Sequence, residues 1–218
     1  MNITNEKVTG YINDFYRPLN RELLDLRTEQ ENAKIPVIMR DTEGLLISLI
    51  RLIRPEKILE IGTACGYSAA CMAAAFPQAH ITTVESRPDS CEKAENNLRR
   101  LGLGHQVDVV RGEGSEIMRE IAAGGEVCFD FIFIDAAKNH YKEFFTEALR
   151  LSGKGTVILC DNVLLKGAVA DERYLESRRD RTSMKRMREF LIYLDGLEEA
   201  KTNVLPVGDG VSISHVEK

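Results

Sequence analysis

Two strand-like runs end in the side chains best suited to chemistry. Phe133-Ile134-Asp135-Ala136-Ala137-Lys138 and Leu159-Cys160-Asp161-Asn162 each close an apolar stretch with polar residues. Singly, such residues serve as caps or turn formers. Together, Asp135, Asp161 and Asn162 offer three hard oxygen ligands, a set suited to Mg²⁺ completed by water and substrate oxygens. Lys138 follows Asp135 by three residues. A divalent cation beside a lysine disfavours the ammonium form, and the neutral amine would serve as general base. Without that neighbour, Lys138 reads as a surface lysine. The chemistry implied is activation of a hydroxyl held on a metal.

A glycine-bearing turn supplies the second constellation, Glu60-Ile61-Gly62-Thr63-Ala64-Cys65-Gly66-Tyr67-Ser68. Gly62 and Gly66 allow a tight turn and a close backbone approach to a ligand at the next helix's N-terminus. The dinucleotide pattern GxGxxG is absent, as is the lysine of a phosphate-binding loop. The run resembles methyltransferase motif I, with Ala64 at the middle glycine; a ligand-free strand-to-helix turn is the alternative. Glu85 ends the next strand, at the spacing where a carboxylate accepts hydrogen bonds from an adenosine ribose diol. Glu113 and Gly114, after a third strand, could place an acceptor and backbone beside adenine. Cys65 reads as a small side chain packed under the ligand. Tyr67, Phe144 and Phe145 read as packing residues, and His140 as a loop histidine near the site.

These side chains need a sheet to gather them. Apolar runs predict strands at Lys57–Gly62, His80–Glu85, Val107–Gly112, Phe129–Asp135 and Gly155–Asp161. Helical stretches fall near 67–75, 89–101, 114–123 and 140–151. Strands apolar on both faces and separated by helices indicate a parallel sheet covered on both sides. A helix near 182–195 precedes Lys201–Val207 and Val211–Val216, joined by Gly208-Asp209-Gly210, a triplet suited to an antiparallel hairpin. Residues 1–50 read as a helical extension interrupted at Pro36. The expectation is one domain over 1–218: an α/β Rossmann-like core at 57–218, mostly parallel and seven-stranded, with a C-terminal antiparallel hairpin and helices on both faces.

With 44% apolar and 29% charged residues over 218 positions, the composition excludes a mostly disordered chain. The formal charge of -5 means that any nucleic-acid contact needs a local basic patch. Five cysteines without a CxxC pair favour reduced thiols over a disulfide framework or zinc site. The four histidines show no metal-ligand spacing. No signal-like or membrane-length apolar run occurs, so no membrane association and a cytoplasmic location are expected.

EIGTACGYS, FIDAAKNHY, CDNVLLKGAVA and PVGDGVSIS together resemble the catechol and caffeoyl-CoA O-methyltransferase family, over nearly the whole chain. Within it the sequence is most similar to the bacterial tRNA 5-hydroxyuridine O-methyltransferase branch, which makes 5-methoxyuridine at the wobble position. The resemblance implies S-adenosylmethionine as methyl donor, with Mg²⁺ or another divalent cation such as Mn²⁺ or Ca²⁺. It implies metal ligation by Asp135, Asp161 and Asn162, general-base action by Lys138, and ribose binding by Glu85. Cofactor contacts are implied at Met39, Glu60, Gly62, Gly66, Ser68, Glu113, Gly114 and Asp135. A homodimer is also implied. The chain departs from the pattern at Glu113-Gly114, where Gly-Asp-Ala is usual, and in a C-terminus less basic than an RNA-binding tail.

The family chemistry needs two neighbouring oxygens, which catechols and 5-hydroxyuridine both provide. The surface could separate them. Residues 178–188 hold Arg178, Arg179, Arg181, Lys185, Arg186 and Arg188 against the single acid Asp180. This stretch could track the phosphates of tRNA, and a basic helix start opposes the helix dipole. The alternative is a solvated helix start paired with Asp171, Glu172 and Glu176. The leading expectation is therefore a tRNA acceptor, with a small phenolic acceptor as the alternative.

Overall fold

The computed structural model describes residues 5–125, 127–175, 177 and 180–218. Three helices come first: α1 (Glu6–Asn13), α2 (Arg21–Asn32) and α3 (Arg40–Ile53). The alternating part follows as β1 (Lys57–Ile61), α4 (Tyr67–Ala75), β2 (His80–Glu85), α5 (Pro88–Arg100), β3 (Val107–Arg111), α6 (Gly114–Ala123), β4 (Phe129–Ile134), α7 (Tyr141–Arg150) and β5 (Ser152–Cys160). It closes with α8 (Asp180–Asp195), β6 (Ala200–Leu205) and β7 (Val211–Val216). The sheet has seven strands in the order β3-β2-β1-β4-β5-β7-β6. The first five run parallel, and β7 is antiparallel to both β5 and β6.

The two-residue period of the strands divides the core. Phe131 and Phe133 of β4 face Ile58, Leu159 and the helices α2, α3 and α4. Ile132 and Ile134 face the other way, packing with Leu59, Phe145 of α7 and Phe190 of α8. The N-terminal helices thus share a core with the sheet through Leu23, Leu26, Leu46 and Ile50. Asn20 caps α2, accepting from the Leu23 N–H at 2.8 Å, and Pro88 opens α5 in the first turn.

Several boundaries differ from the sequence expectation. β1, β3, β4 and β5 stop one residue before Gly62, Gly112, Asp135 and Asp161. The chain there still follows the sheet, since Asp135 N–H donates to Ile61 O at 2.9 Å and Asp161 N–H to Ile134 O at 3.0 Å. The polar side chains therefore emerge just beyond the ladder, at the sheet's carboxyl edge. β5 begins at Ser152 and not at Gly155, with an irregular register against β4 between Phe129 and Phe131. The β6–β7 connection covers five residues, 206–210, and not three. Gly208 is buried against the start of α3, its N–H donating to Asp41 at 2.9 Å. Among the described residues, no helix is long and apolar enough to cross a membrane.

Candidate active site

The carboxyl ends of β1, β2, β4 and β5 border one cleft of about 610 Å³. Open α/β sheets place ligands at this edge. On the β1 side, Gly62 adopts φ +105°, and a Cβ there would lie 2.1 Å from the Asp135 carbonyl oxygen. Only glycine lets the two strand ends approach so closely. Gly66 caps α4 at φ +82° and packs on Ala94 of α5. It shapes the turn without lining the cleft, whereas Gly62, Thr63, Ala64, Cys65 and Ser68 do line it.

Glu85 lies across this turn. One carboxylate oxygen accepts from Ala64 N–H at 2.9 Å, and the other from Arg87 N–H at 3.0 Å. Its two oxygens keep lone pairs for further donors such as a ribose diol. Glu113 and Gly114 lie at the same end. A Cβ at Gly114 would meet Ile61 at 2.6 Å and the Phe144 ring at 3.1 Å. Phe144 thus packs and lines the cleft at once, where its sequence position suggested packing alone. Met39, at the start of α3, also lines the cleft.

Glu60 is separated from the other proposed cofactor contacts. It is fully buried beneath the turn, accepting hydrogen bonds from Ser68 and, at 2.5 Å, from Thr83. Burial pushes its pKa up to about 7; the two hydroxyls oppose that rise, and the charges of Asp135 and Glu85 add to it. Its role in this geometry is to hold Ser68 and the turn in place.

At the β4–β5 end, the Lys138 ammonium donates to Asp135 Oδ1 at 2.9 Å, Asn162 Oδ1 at 2.5 Å and Tyr141 OH at 3.0 Å. Three acceptors match its three protons. Asp161 is buried beside them, with Asn162 N–H donating to its carboxylate at 2.7 Å. Burial raises the Asp161 pKa, and repulsion from Asp135 raises it further; the Asn162 N–H and the Lys138 charge offset part of this. Crowded anionic oxygens of this kind call for a cation. Among the described residues, no three His, Cys, Asp or Glu side chains gather as a metal site. The set here has two carboxylates and an amide oxygen, which fits a hard divalent ion. A metal ion and the ammonium would compete for Asp135 and Asn162.

Sequence reasoning passed over Tyr141 and Arg27. Tyr141 is buried, donates to Asp161 O at 2.8 Å and accepts a hydrogen bond from Lys138, so it fixes the lysine's direction. An aromatic residue three positions after Lys138 was its signal. Arg27, buried on α2, donates to Glu43 at 2.7 Å, to Ile38 O at 2.6 Å and to Tyr67 OH at 3.2 Å. Tyr67 OH and Tyr16 OH also donate to Glu43, both at 2.8 Å. This cluster ties the 36–39 segment to the first turn of α4.

The basic stretch is only partly available to a ligand. Arg178 and Arg179, like Glu176, lie outside the described residues. Arg181 and Arg188 both approach Glu172, at 3.8 and 3.4 Å. Arg188 also donates to Val169 O, and Arg186 to Asn139 O. Lys185, Arg181 and Arg186 remain exposed. The first turn of α8 opens with Asp180, which offsets part of the dipole cost of the basic run.

Residues 16–216 match the O-methyltransferase family. A catechol O-methyltransferase from Niastella koreensis is 37% identical over 174 residues, covering 78% of this chain and 79% of that protein. A caffeoyl-CoA O-methyltransferase candidate from Staphylococcus aureus, of known crystal structure, superposes with a TM-score of 0.89 at 31% identity, covering 97% of this chain and 100% of that one. The O-methyltransferase TomG from Streptomyces achromogenes, solved with S-adenosylmethionine, gives a TM-score of 0.83 at 28% identity, covering 97% and 96%. A parallel sheet with a ligand cleft at its carboxyl edge, the family match and cofactor-bound neighbours converge: the chain belongs to the O-methyltransferase family and is an S-adenosylmethionine-dependent O-methyltransferase of the catechol and caffeoyl-CoA type.

Proposed function

We propose that the chain methylates one hydroxyl of a small phenolic acceptor whose neighbouring carbon carries a second oxygen, as in catechol. The carrying observation is the meeting of Asp135, Asp161 and Asn162 around Lys138 at the open end of the cofactor cleft. The catechol O-methyltransferase relative supports the same acceptor class. S-adenosylmethionine supplies the methyl group: its C–S bond breaks as the O–C bond forms, and the electron pair stays on sulfur. A divalent cation, Mg²⁺ or else Mn²⁺ or Ca²⁺, held by the three oxygens would acidify the acceptor hydroxyl and fix both acceptor oxygens. As the neutral amine that such a cation would favour, Lys138 would take the hydroxyl proton, with Tyr141 directing its amine. Glu85 accepts from the ribose hydroxyls, and Gly62 keeps the backbone near the donor. Met39, Ser68, Glu113, Gly114 and Asp135 complete the donor's surroundings. Glu60 and Gly66 act by shaping the turn.

A second reading, transfer to 5-hydroxyuridine of tRNA, is favoured by the exposed Arg181, Lys185 and Arg186 on the first turns of α8. The pairing of Arg181, Arg186 and Arg188 with neighbouring groups counts against it. We further propose a homodimer, supported by the exposed apolar Val8, Tyr11, Ile12 and Phe15 on and just after α1; sizing by light scattering tests it. For the acceptor, labelled S-adenosylmethionine and Mg²⁺ are incubated with catechol or, separately, hydroxyuridine-containing tRNA, with and without EDTA. The proposal expects label on catechol and its loss in EDTA. Label on tRNA alone, falling steeply with salt, would reverse the order of the two readings.

A further inference from the structure

Two polar residues of α2, three positions apart and so on one face of the helix, are used differently. Arg27 commits its guanidinium to Glu43, Ile38 O and Tyr67 OH. Gln30 is 4% exposed and lines the cleft together with Cys65, Tyr67 and Ser68. Its amide nitrogen reaches Cys65 O at 3.5 Å, a length at which a hydrogen bond is weak. Asn97 already satisfies that carbonyl, donating to it at 2.9 Å. Among the described residues, no donor reaches the Gln30 amide oxygen. That oxygen is not sealed into the core, and the space it opens to is the cleft. A nearly buried amide with unmet donor and acceptor capacity is a cost that a ligand removes.

The surroundings of Gln30 limit what that ligand group is. Cys65 precedes Gly66, the N-cap of α4, where no side chain caps the helix and no acid lies in the first turn. Free N–H groups at a helix start attract a carboxylate. An amide beside them offers an N–H to the same carboxylate and an oxygen to an ammonium. Of the parts of S-adenosylmethionine, only the amino-acid end carries both groups. With the ribose at Glu85 and the methyl group directed toward Lys138, that end is the part left for this corner of the cleft.

We propose that Gln30 is a cofactor-binding residue that holds the amino-acid end of S-adenosylmethionine, so that a helix outside the Rossmann-like core completes the donor site. The inference rests on the donor placement proposed above, with the ribose at Glu85. The amino-acid end carries the same charges before and after methyl transfer. Gln30 therefore binds donor and product alike and does not favour the transition state.

Calorimetric titration of the wild type, Gln30→Ala and the near-isosteric Gln30→Met tests this with three nucleosides. They are S-adenosylmethionine, S-adenosylhomocysteine and 5′-methylthioadenosine, which lacks the amino-acid carbons. Alanine and methionine are both good helix formers, so both variants should keep α2. Each variant should bind the first two ligands about tenfold more weakly, by the same factor, as expected for a lost hydrogen bond to a charged group. Each should bind 5′-methylthioadenosine within about twofold of the wild type. Equal losses for all three ligands in both variants would show that Gln30 acts by holding the Cys65 turn, and that overturns the assignment of Gln30 alone. Unchanged affinity for the first two ligands overturns it as well. Glu85→Ala should weaken all three; if it weakens none, the ribose placement falls, and the Gln30 assignment with it.

Discussion

Replacing Glu60 with glutamine separates the energetics of burial from those of the reaction. The Glu60 carboxyl is fully buried, and its pKa is pushed from 4.5 up to about 7. The folded protein therefore holds a proton that the unfolded chain has already released over that range. Stability from this group is greatest below about 4.5 and is lost as pH rises toward 7, above which both states are ionised. A shift of about 2.5 units corresponds to roughly 3 kcal/mol. In Glu60→Gln the amide stays neutral at every pH, and the Ser68 and Thr83 hydroxyls can rotate to donate or accept. The variant should exceed the wild type in unfolding free energy by up to about 3 kcal/mol at pH 8, and by less than about 1 kcal/mol at pH 5. Urea denaturation followed by circular dichroism at the two pH values measures this. An equal difference at both values would show that the buried carboxyl does not titrate as described.

Other substitutions probe the remaining parts of the site. Gly62→Ala places a Cβ against the Asp135 carbonyl oxygen at a positive φ; the strain of about 1–3 kcal/mol should weaken S-adenosylmethionine binding about fivefold or more by calorimetry. Tyr141→Phe removes the hydroxyl between Lys138 and Asp161 O. It should lower kcat about tenfold and stability by about 1–2 kcal/mol, with the Kd for the cofactor unchanged. Arg27→Ala leaves Glu43 buried without its cation; urea denaturation should report a loss of about 3–5 kcal/mol. A further Glu43→Gln change should restore part of that loss.

The sheet was legible because its strands are apolar on both faces, as in Phe131–Ile134, where successive residues enter opposite cores. The site was legible where chemistry lies at a strand end: Asp135, Asp161, Asn162 and Glu85 all reach the cleft that their positions implied. Groups whose partners are distant in sequence were not legible. Arg27 sits in the polar run RELLDLRTEQEN and reads as solvated, and only the fold reveals Glu43 and Tyr67 against it. The Leu165–Gly167 backbone is likewise imposed by residues 209 and 210, some forty positions away. The basic stretch reads either as a phosphate track or as a helix start paired with nearby acids; Glu172, one of those acids, does pair with Arg181 and Arg188, whereas the Asn139 and Val169 carbonyls that hold Arg186 and Arg188 were not legible.

The central claim is that one cleft holds the methyl donor while the oxygens of Asp135, Asp161 and Asn162 in that cleft activate the acceptor. Asp161→Ala tests it most directly, with single-turnover transfer from labelled S-adenosylmethionine to catechol measured beside the Kd for the cofactor. The account predicts that transfer is abolished while the Kd stays within about threefold of the wild type. Transfer that survives in the variant would contradict it.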